Sequence, residues 1–256
     1  MKYNTTHHVA RGGKKIAAGP LGQELCKFPL LFTKPVFFGE PQSGINNGTV
    51  SLINLGKGPL AITCFHVIEK FRELAREGKQ GLFQIGPCGL DPLSQLISQS
   101  EHFDLAVIGI TEKQAKEITQ EDARIGSSFF HPVCWPPEQV SEGEFIALGG
   151  FPGRWRTQLA SDVLQFGTYS IGASRVTIVR DSYFVSQFER EYWVKSLDNP
   201  EFGQLDRLGG LSGGPAFVER GLRLDFVGVI YQFSPNYDLL YLRHAGVIAA
   251  DGQITQ

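Results

Sequence analysis

Short apolar runs broken by glycine and proline dominate the chain, and few of them are long enough to form a helix. Thr49 to Leu55 alternates apolar and polar positions with a period of two, the mark of a half-buried strand. Gly56-Lys57-Gly58-Pro59 turns it back into a second strand, Leu60 to Phe65, which ends at His66. Asn46-Asn47-Gly48 reads as a turn before the pair, and Phe28 to Phe38, aromatic and interrupted by prolines, reads as an edge strand. Val67, Phe71 and Leu74 then recur on one face, predicting a helix after His66. Leu82 to Ile85, Leu93 to Ile97 and Leu105 to Ile110 are further short strands, and Thr111 to Thr119 reads as a surface helix.

Beyond a proline-rich crossing at Phe129 to Pro137, the same pattern resumes. Glu144 to Gly153, Val163 to Ile171, Ser174 to Val179, Tyr183 to Phe188, Leu224 to Tyr231 and Leu239 to Leu242 all read as strands. Many short strands with frequent turns and few helices predict an all-β barrel or sandwich architecture. No fixed-period repeat or flexible linker interrupts it.

Composition narrows the partners. With 42% hydrophobic and 20% charged residues, 256 residues suffice for a substantial buried core. A formal charge of −2 gives no electrostatic reason to expect nucleic acid or an anionic membrane. No apolar run approaches the roughly 18 residues of a spanning helix. Met1 to Gly19 carries basic residues without an apolar block behind them, so no secretory signal is expected. Its His7 and His8 read as part of a loose arm, not a metal site. Cys26, Cys64, Cys88 and Cys134 lack the close pairing of a zinc site, and with no secretory signal they read as free thiols of a cytoplasmic protein. Neither a metal nor another cofactor is expected.

The candidate chemistry centres on Leu208-Gly209-Gly210-Leu211-Ser212-Gly213-Gly214-Pro215. A serine hydroxyl needs a base to become a nucleophile, and N–H groups on a glycine turn can hold the oxyanion it creates. Taken alone, the stretch is equally a glycine-rich hairpin with an idle serine. His66, at a strand-to-helix junction, can be aimed into a cleft or be structural. Asp104 opens an apolar strand, where a carboxylate must be paired or hydrogen-bonded, and can equally cap its turn. Gly210-Leu211-Ser212-Gly213-Gly214 also fits the elbow of esterases, but that fold needs the order serine, acid, histidine on a parallel sheet. Only His244 follows Ser212.

Three motifs, Ile62-Thr63-Cys64-Phe65-His66-Val67, Phe103-Asp104-Leu105-Ala106-Val107 and Gly210-Leu211-Ser212-Gly213-Gly214-Pro215, together resemble the trypsin/chymotrypsin-like serine peptidases. The likeness is strongest to intracellular-looking bacterial members and high-temperature-requirement-type proteases. It implies two six-stranded antiparallel β-barrels, about residues 28–130 and 143–247 of a domain spanning 28–256, preceded by an arm at 1–27. It also implies a serine endopeptidase acting on protein or peptide substrates. Ser212 would be the nucleophile, His66 its base, Asp104 the holder of the imidazole, and the N–H groups of Gly210 and Ser212 the oxyanion hole. Leu211 departs from the family, standing where secreted members carry an aspartate that pairs with a freed N-terminus. Activation by clipping is therefore not expected. Leu211 can pack inward, or the loop can await substrate or a protein activator. Asp206 resembles the pocket-floor aspartate that selects Lys or Arg, with Arg207 beside it to neutralise it. Tyr231, Gln232 and Phe233 would line the pocket entrance, where Phe233 would favour small side chains. The rival expectation is an inactive or latent fold of this kind serving as a protein-binding module.

Overall fold

The computed structural model describes residues 8–11, 14–17, 20–40, 44–120, 127–160, 163–188, 208–221 and 223–255. A hairpin, β1 (His8–Arg11) with β2 (Lys14–Ala17), precedes helix α1 (Pro20–Leu31). Strands β3 (Thr33–Phe38), β4 (Asn46–Asn54) and β5 (Pro59–Thr63) follow, then helix α2 (Phe65–Arg76). Next come β6 (Phe83–Ile85), β7 (Cys88–Leu90), β8 (Leu96–Ser100), β9 (Leu105–Gly109) and helix α3 (Glu112–Thr119). These strands form one sheet in the order β7-β6-β3-β4-β5-β9-β8.

The second lobe holds β10 (Phe145–Gly150), the hairpin β11 (Arg156–Ala160) and β12 (Val163–Phe166), β13 (Tyr169–Val179), β14 (Tyr183–Gln187), β15 (Pro215–Arg220), β16 (Arg223–Ser234) and β17 (Leu239–His244). Six of them close a barrel in the order β10-β13-β14-β17-β16-β15. The class is thus all-β with two lobes and few helices. In detail the first lobe is a curled sheet of seven strands, because Gly86, at φ +55°, turns the chain so that β7 folds back on β6.

Two local expectations are corrected. Phe28 to Leu31 belong to α1, and the strand begins only at Thr33. Cys26, Pro29 and Leu30 repeat at helical spacing, and all three are buried. Phe28 and Phe32 stack edge-on against Phe130 and Phe217. Asn46-Asn47-Gly48 lies within β4, paired with Phe38, Phe37 and Val36, and is not a turn. A side chain at Gly48 would meet Val36 and Val67 at 3.1 Å, so glycine there lets α2 lie close on the sheet.

Each lobe has its own apolar core. Val50, Ile68, Phe83 and Ile108 belong to the first, and Leu148, Phe184, Leu211 and Leu242 to the second. A third cluster joins them, with Ile53, Ile62, Leu105 and Phe130 meeting Phe217, Phe226 and Val229. The crevice between the lobes is therefore floored by packed side chains.

Candidate active site

Neighbouring strands bring His66 to Asp104. β5 and β9 run antiparallel with Thr63 opposite Ala106, so the residues just past the end of one meet those just before the start of the other. His66 is the second residue of α2, and its N–H lies in the first helical turn, where no intrahelical acceptor exists. It donates to Asp104 Oδ1 at 3.0 Å. The ring Nδ1 lies 2.8 Å from Asp104 Oδ2 and 3.1 Å from Oδ1. An ionised carboxylate only accepts, so Nδ1 carries a proton, and in the neutral imidazole Nε2 then keeps its lone pair. Asp104 adopts φ +51°, in the left-handed region, and its N–H donates to Glu101 O at 3.1 Å. Such a conformation costs on the order of 1–3 kcal/mol and persists only where its surroundings fix it.

The serine loop is held at almost every peptide group. The carbonyls of Gly209, Gly210, Leu211, Ser212 and Gly213 accept, respectively, from Gly153 N at 2.7 Å, Thr49 Oγ1 at 2.7 Å, Gly214 N at 2.8 Å, Thr49 N at 2.9 Å and Ser51 Oγ at 2.7 Å. The N–H groups of Leu211 and Gly213 donate to Leu208 O at 3.1 Å and Ile230 O at 2.8 Å. Of residues 209–214, the N–H groups of Gly209, Gly210 and Ser212 donate to no acceptor among the described residues, and the latter two are the expected oxyanion-hole donors. The C=O and N–H of a trans peptide point in opposite directions. Fixing the Gly209 and Leu211 carbonyls therefore aims those two N–H groups away from the protein partners. Gly210 (φ +98°) and Gly213 (φ +97°) supply the left-handed turns this path requires. Leu211 packs inward, 1% exposed in the second core.

Thr49 and Ser51 were not singled out in the sequence, yet both are buried on β4 and grip the loop from the opposite lobe. Thr63 Oγ1 donates to Thr49 O at 2.9 Å, and Phe151 N donates to Thr49 Oγ1 at 3.0 Å. Their only sequence signal is a hydroxyl at a core-facing strand position.

Cys64 has the Ser212 side chain on one side and the His66–Asp104 pair on another. The Cys64 thiol is fully buried, donates to Ile230 O at 3.4 Å, and faces the Ser212 side chain. Burial, then the Asp104 charge, push that thiol well above its ordinary range, so it stays protonated and inert. Cys64 Sγ, a His66 ring nitrogen and an Asp104 oxygen lie within 4.8 Å of one another, so the groups converge. A protonated thiol and a carboxylate already engaged by imidazole make a poor metal cage. His66 and Asp104 are in direct contact. The Ser212 side chain meets Cys64 and makes no hydrogen bond to His66.

The expected pocket residues divide. Asp206 lies outside the described residues. Tyr231 is half-buried beneath the Arg243 guanidinium, 4.4 Å from its ring centroid, Gln232 is exposed, and Phe233 packs against Phe188 at 5.5 Å. β15 pairs with β16 only as far as Val229, so the edge of Tyr231 to Ser234 facing away from β17 is unpaired by β15.

No family model matches the chain, and no curated protein matches it. Among solved structures it is similar to the active form of the Rv3671c protease from M. tuberculosis, with 13% identity over 93% of this chain and 88% of that one, at a TM-score of 0.49. It is also similar to the thermostable serine protease AL20 from an extremophilic microorganism, with 12% identity over 84% and 91% and a TM-score of 0.43. A structure described for the coupled folding and binding of the Sesbania mosaic virus VPg protein matches with 14% identity over 85% and 94%, at 0.43. At such identities the chemistry of this chain is argued from its own residues.

Proposed function

We propose that the chain is a serine endopeptidase whose triad is Ser212, His66 and Asp104. The observation that carries this reading is the pair of unspent N–H groups at Gly210 and Ser212, on peptides whose carbonyls, those of Gly209 and Leu211, are both held. They match what an acyl-transfer oxyanion needs, and losing one such donor typically costs ~3 kcal/mol of transition-state stabilisation. Rotation of Ser212 about χ1 takes its hydroxyl from Cys64 toward the lone pair on His66 Nε2. His66 then accepts the proton as Ser212 Oγ attacks the peptide carbonyl, and passes it to the leaving amine. Asp104 keeps the imidazole in the required tautomer and stabilises the imidazolium. Water hydrolyses the acyl-enzyme by the same steps in reverse roles. The edge of Tyr231 to Ser234 that β15 leaves unpaired offers an extended substrate a strand to pair with.

The loop owes its shape to bonds within the chain, which supports competence without a protein activator. Phe233, packed on Phe188, supports a preference for small side chains over the basic specificity that Asp206 would confer. Four free thiols, with Cys134 exposed, support a reducing, cytoplasmic setting. No helix among the described residues is long and apolar enough to cross a membrane.

A fluorophosphonate probe tests the proposal. It is expected to label the intact protein and not Ser212→Ala, and a peptide library is expected to be cut after small residues. One observation favours the rival reading of a binding module, namely the absent Ser212–His66 hydrogen bond. Lack of labelling in folded protein, alone and with peptide present, would establish that rival.

A further inference from the structure

Arg243 is a buried cation that the triad does not use. It lies on β17, 6% exposed, and no carboxylate of the described residues comes within ion-pair distance of it. Its Nε donates to Phe103 O at 2.7 Å, and Nη1 donates to Ser182 O at 3.4 Å and Ser182 Oγ at 3.2 Å. The guanidinium covers the Tyr231 ring at 4.4 Å and the Phe103 ring at 5.3 Å. Asp104, Tyr231, Tyr183 and Cys64 are the titratable groups whose charges it feels. A guanidinium taken out of water needs hydrogen bonds and a compensating anion.

The hydrogen bond to Phe103 O is the informative contact. That carbonyl belongs to the peptide leading into Asp104, the residue held at φ +51°. Glu101 O holds the Asp104 N–H from within the first lobe, while Arg243 and Ser182 stand in the second. Arg243 thus ties the turn that presents the carboxylate to the barrel that presents the serine. Resting on the peptidase reading, we propose that Arg243 is a positioning residue that sets the orientation of Asp104 and, through it, the tautomer of His66.

The test uses the full chain carrying Arg243→Met, Arg243→Lys and, as a milder cut of the same clamp, Ser182→Ala. Ring ¹⁵N shifts report the His66 tautomer without any need for turnover. The parent is expected to hold the proton on Nδ1, Arg243→Met to show a mixture of tautomers, and Arg243→Lys to fall between them. On peptide substrate, kcat is expected to fall tenfold to a hundredfold in Arg243→Met with KM within twofold. If Arg243→Met does not fold, the Ser182→Ala and Arg243→Lys shifts decide. Folded variants with the parent's His66 shifts and kcat within twofold would overturn the proposal. A parent without labelling or turnover would instead overturn the peptidase reading, leaving the tautomer measurement to decide on Arg243 by itself.

Discussion

Thr49 Oγ1 donates to the carbonyl of Gly210 at 2.7 Å across the crevice between the lobes, and accepts the N–H of Phe151 at 3.0 Å. One hydroxyl in the first lobe therefore fixes a peptide adjoining the proposed oxyanion hole in the second. Thr49→Val keeps the shape and removes both bonds. The expected cost is about 1–3 kcal/mol for each orphaned group, with a loss of roughly tenfold to a hundredfold in kcat as the loop loosens. Denaturant melts and peptide turnover, measured on one preparation, check both numbers. Unchanged turnover would mean that the loop keeps its shape without Thr49.

Asp104→Asn is expected to fold, because asparagine tolerates the left-handed region nearly as well as aspartate. Turnover is expected to fall about 10⁴-fold, the magnitude of that change in Ser-His-Asp sites, since the amide favours the wrong imidazole tautomer. Near-parent turnover would show that another carboxylate serves His66.

Gly213→Ala is expected to be severe for a different reason. Gly213 sits at φ +97°, and an added Cβ would collide with Thr49 O on β4. Strain at such a backbone costs about 1–3 kcal/mol before the clash is counted. The melting temperature is expected to drop by more than about 5 °C, and a shift within 1 °C would refute the close fit of loop and strand.

The cysteines make a prediction about pH. Cys26, Cys64 and Cys88 are buried and Cys134 is exposed. In native protein, alkylation is expected at Cys134 alone, with the other three reacting only on unfolding. Burial first, then Glu117, pushes the Cys88 thiol up to about 11 from an ordinary 9.0. Above pH 9 the unfolded chain releases a proton that the folded chain keeps, so stability present below that pH is lost progressively toward pH 11. Cys88→Ala is expected to flatten this part of the stability profile, and an unaltered slope would rule out Cys88 as its source.

The residues of the proposed chemistry were legible because each sits in a distinctive local setting. Ser212 lies among glycines, and His66 and Asp104 stand at the ends of apolar strands, so antiparallel pairing alone brings the latter two together. Thr49, Ser51 and Arg243 were not legible. Each is a buried polar residue on a strand, and the partner that gives it its role lies more than 100 residues away in the sequence. Phe28 to Leu31 misled for a related reason, since an aromatic run with proline fits a strand until the rings of Phe130 and Phe217 are known to receive it. The strand pattern carried the all-β class and the resemblance the two lobes, while the β6–β7 hairpin turns at Gly86, one glycine that the pattern did not single out.

Phe28 and Phe32 rest on Phe130 of one lobe and Phe217 of the other. The rings of Phe28 and Phe32 thus lie against a ring of the first lobe and one on β15 of the second, a spacer between the histidine-bearing and serine-bearing halves. Shaving one ring, as in Phe32→Leu, would retune that separation while leaving every group that touches substrate in place.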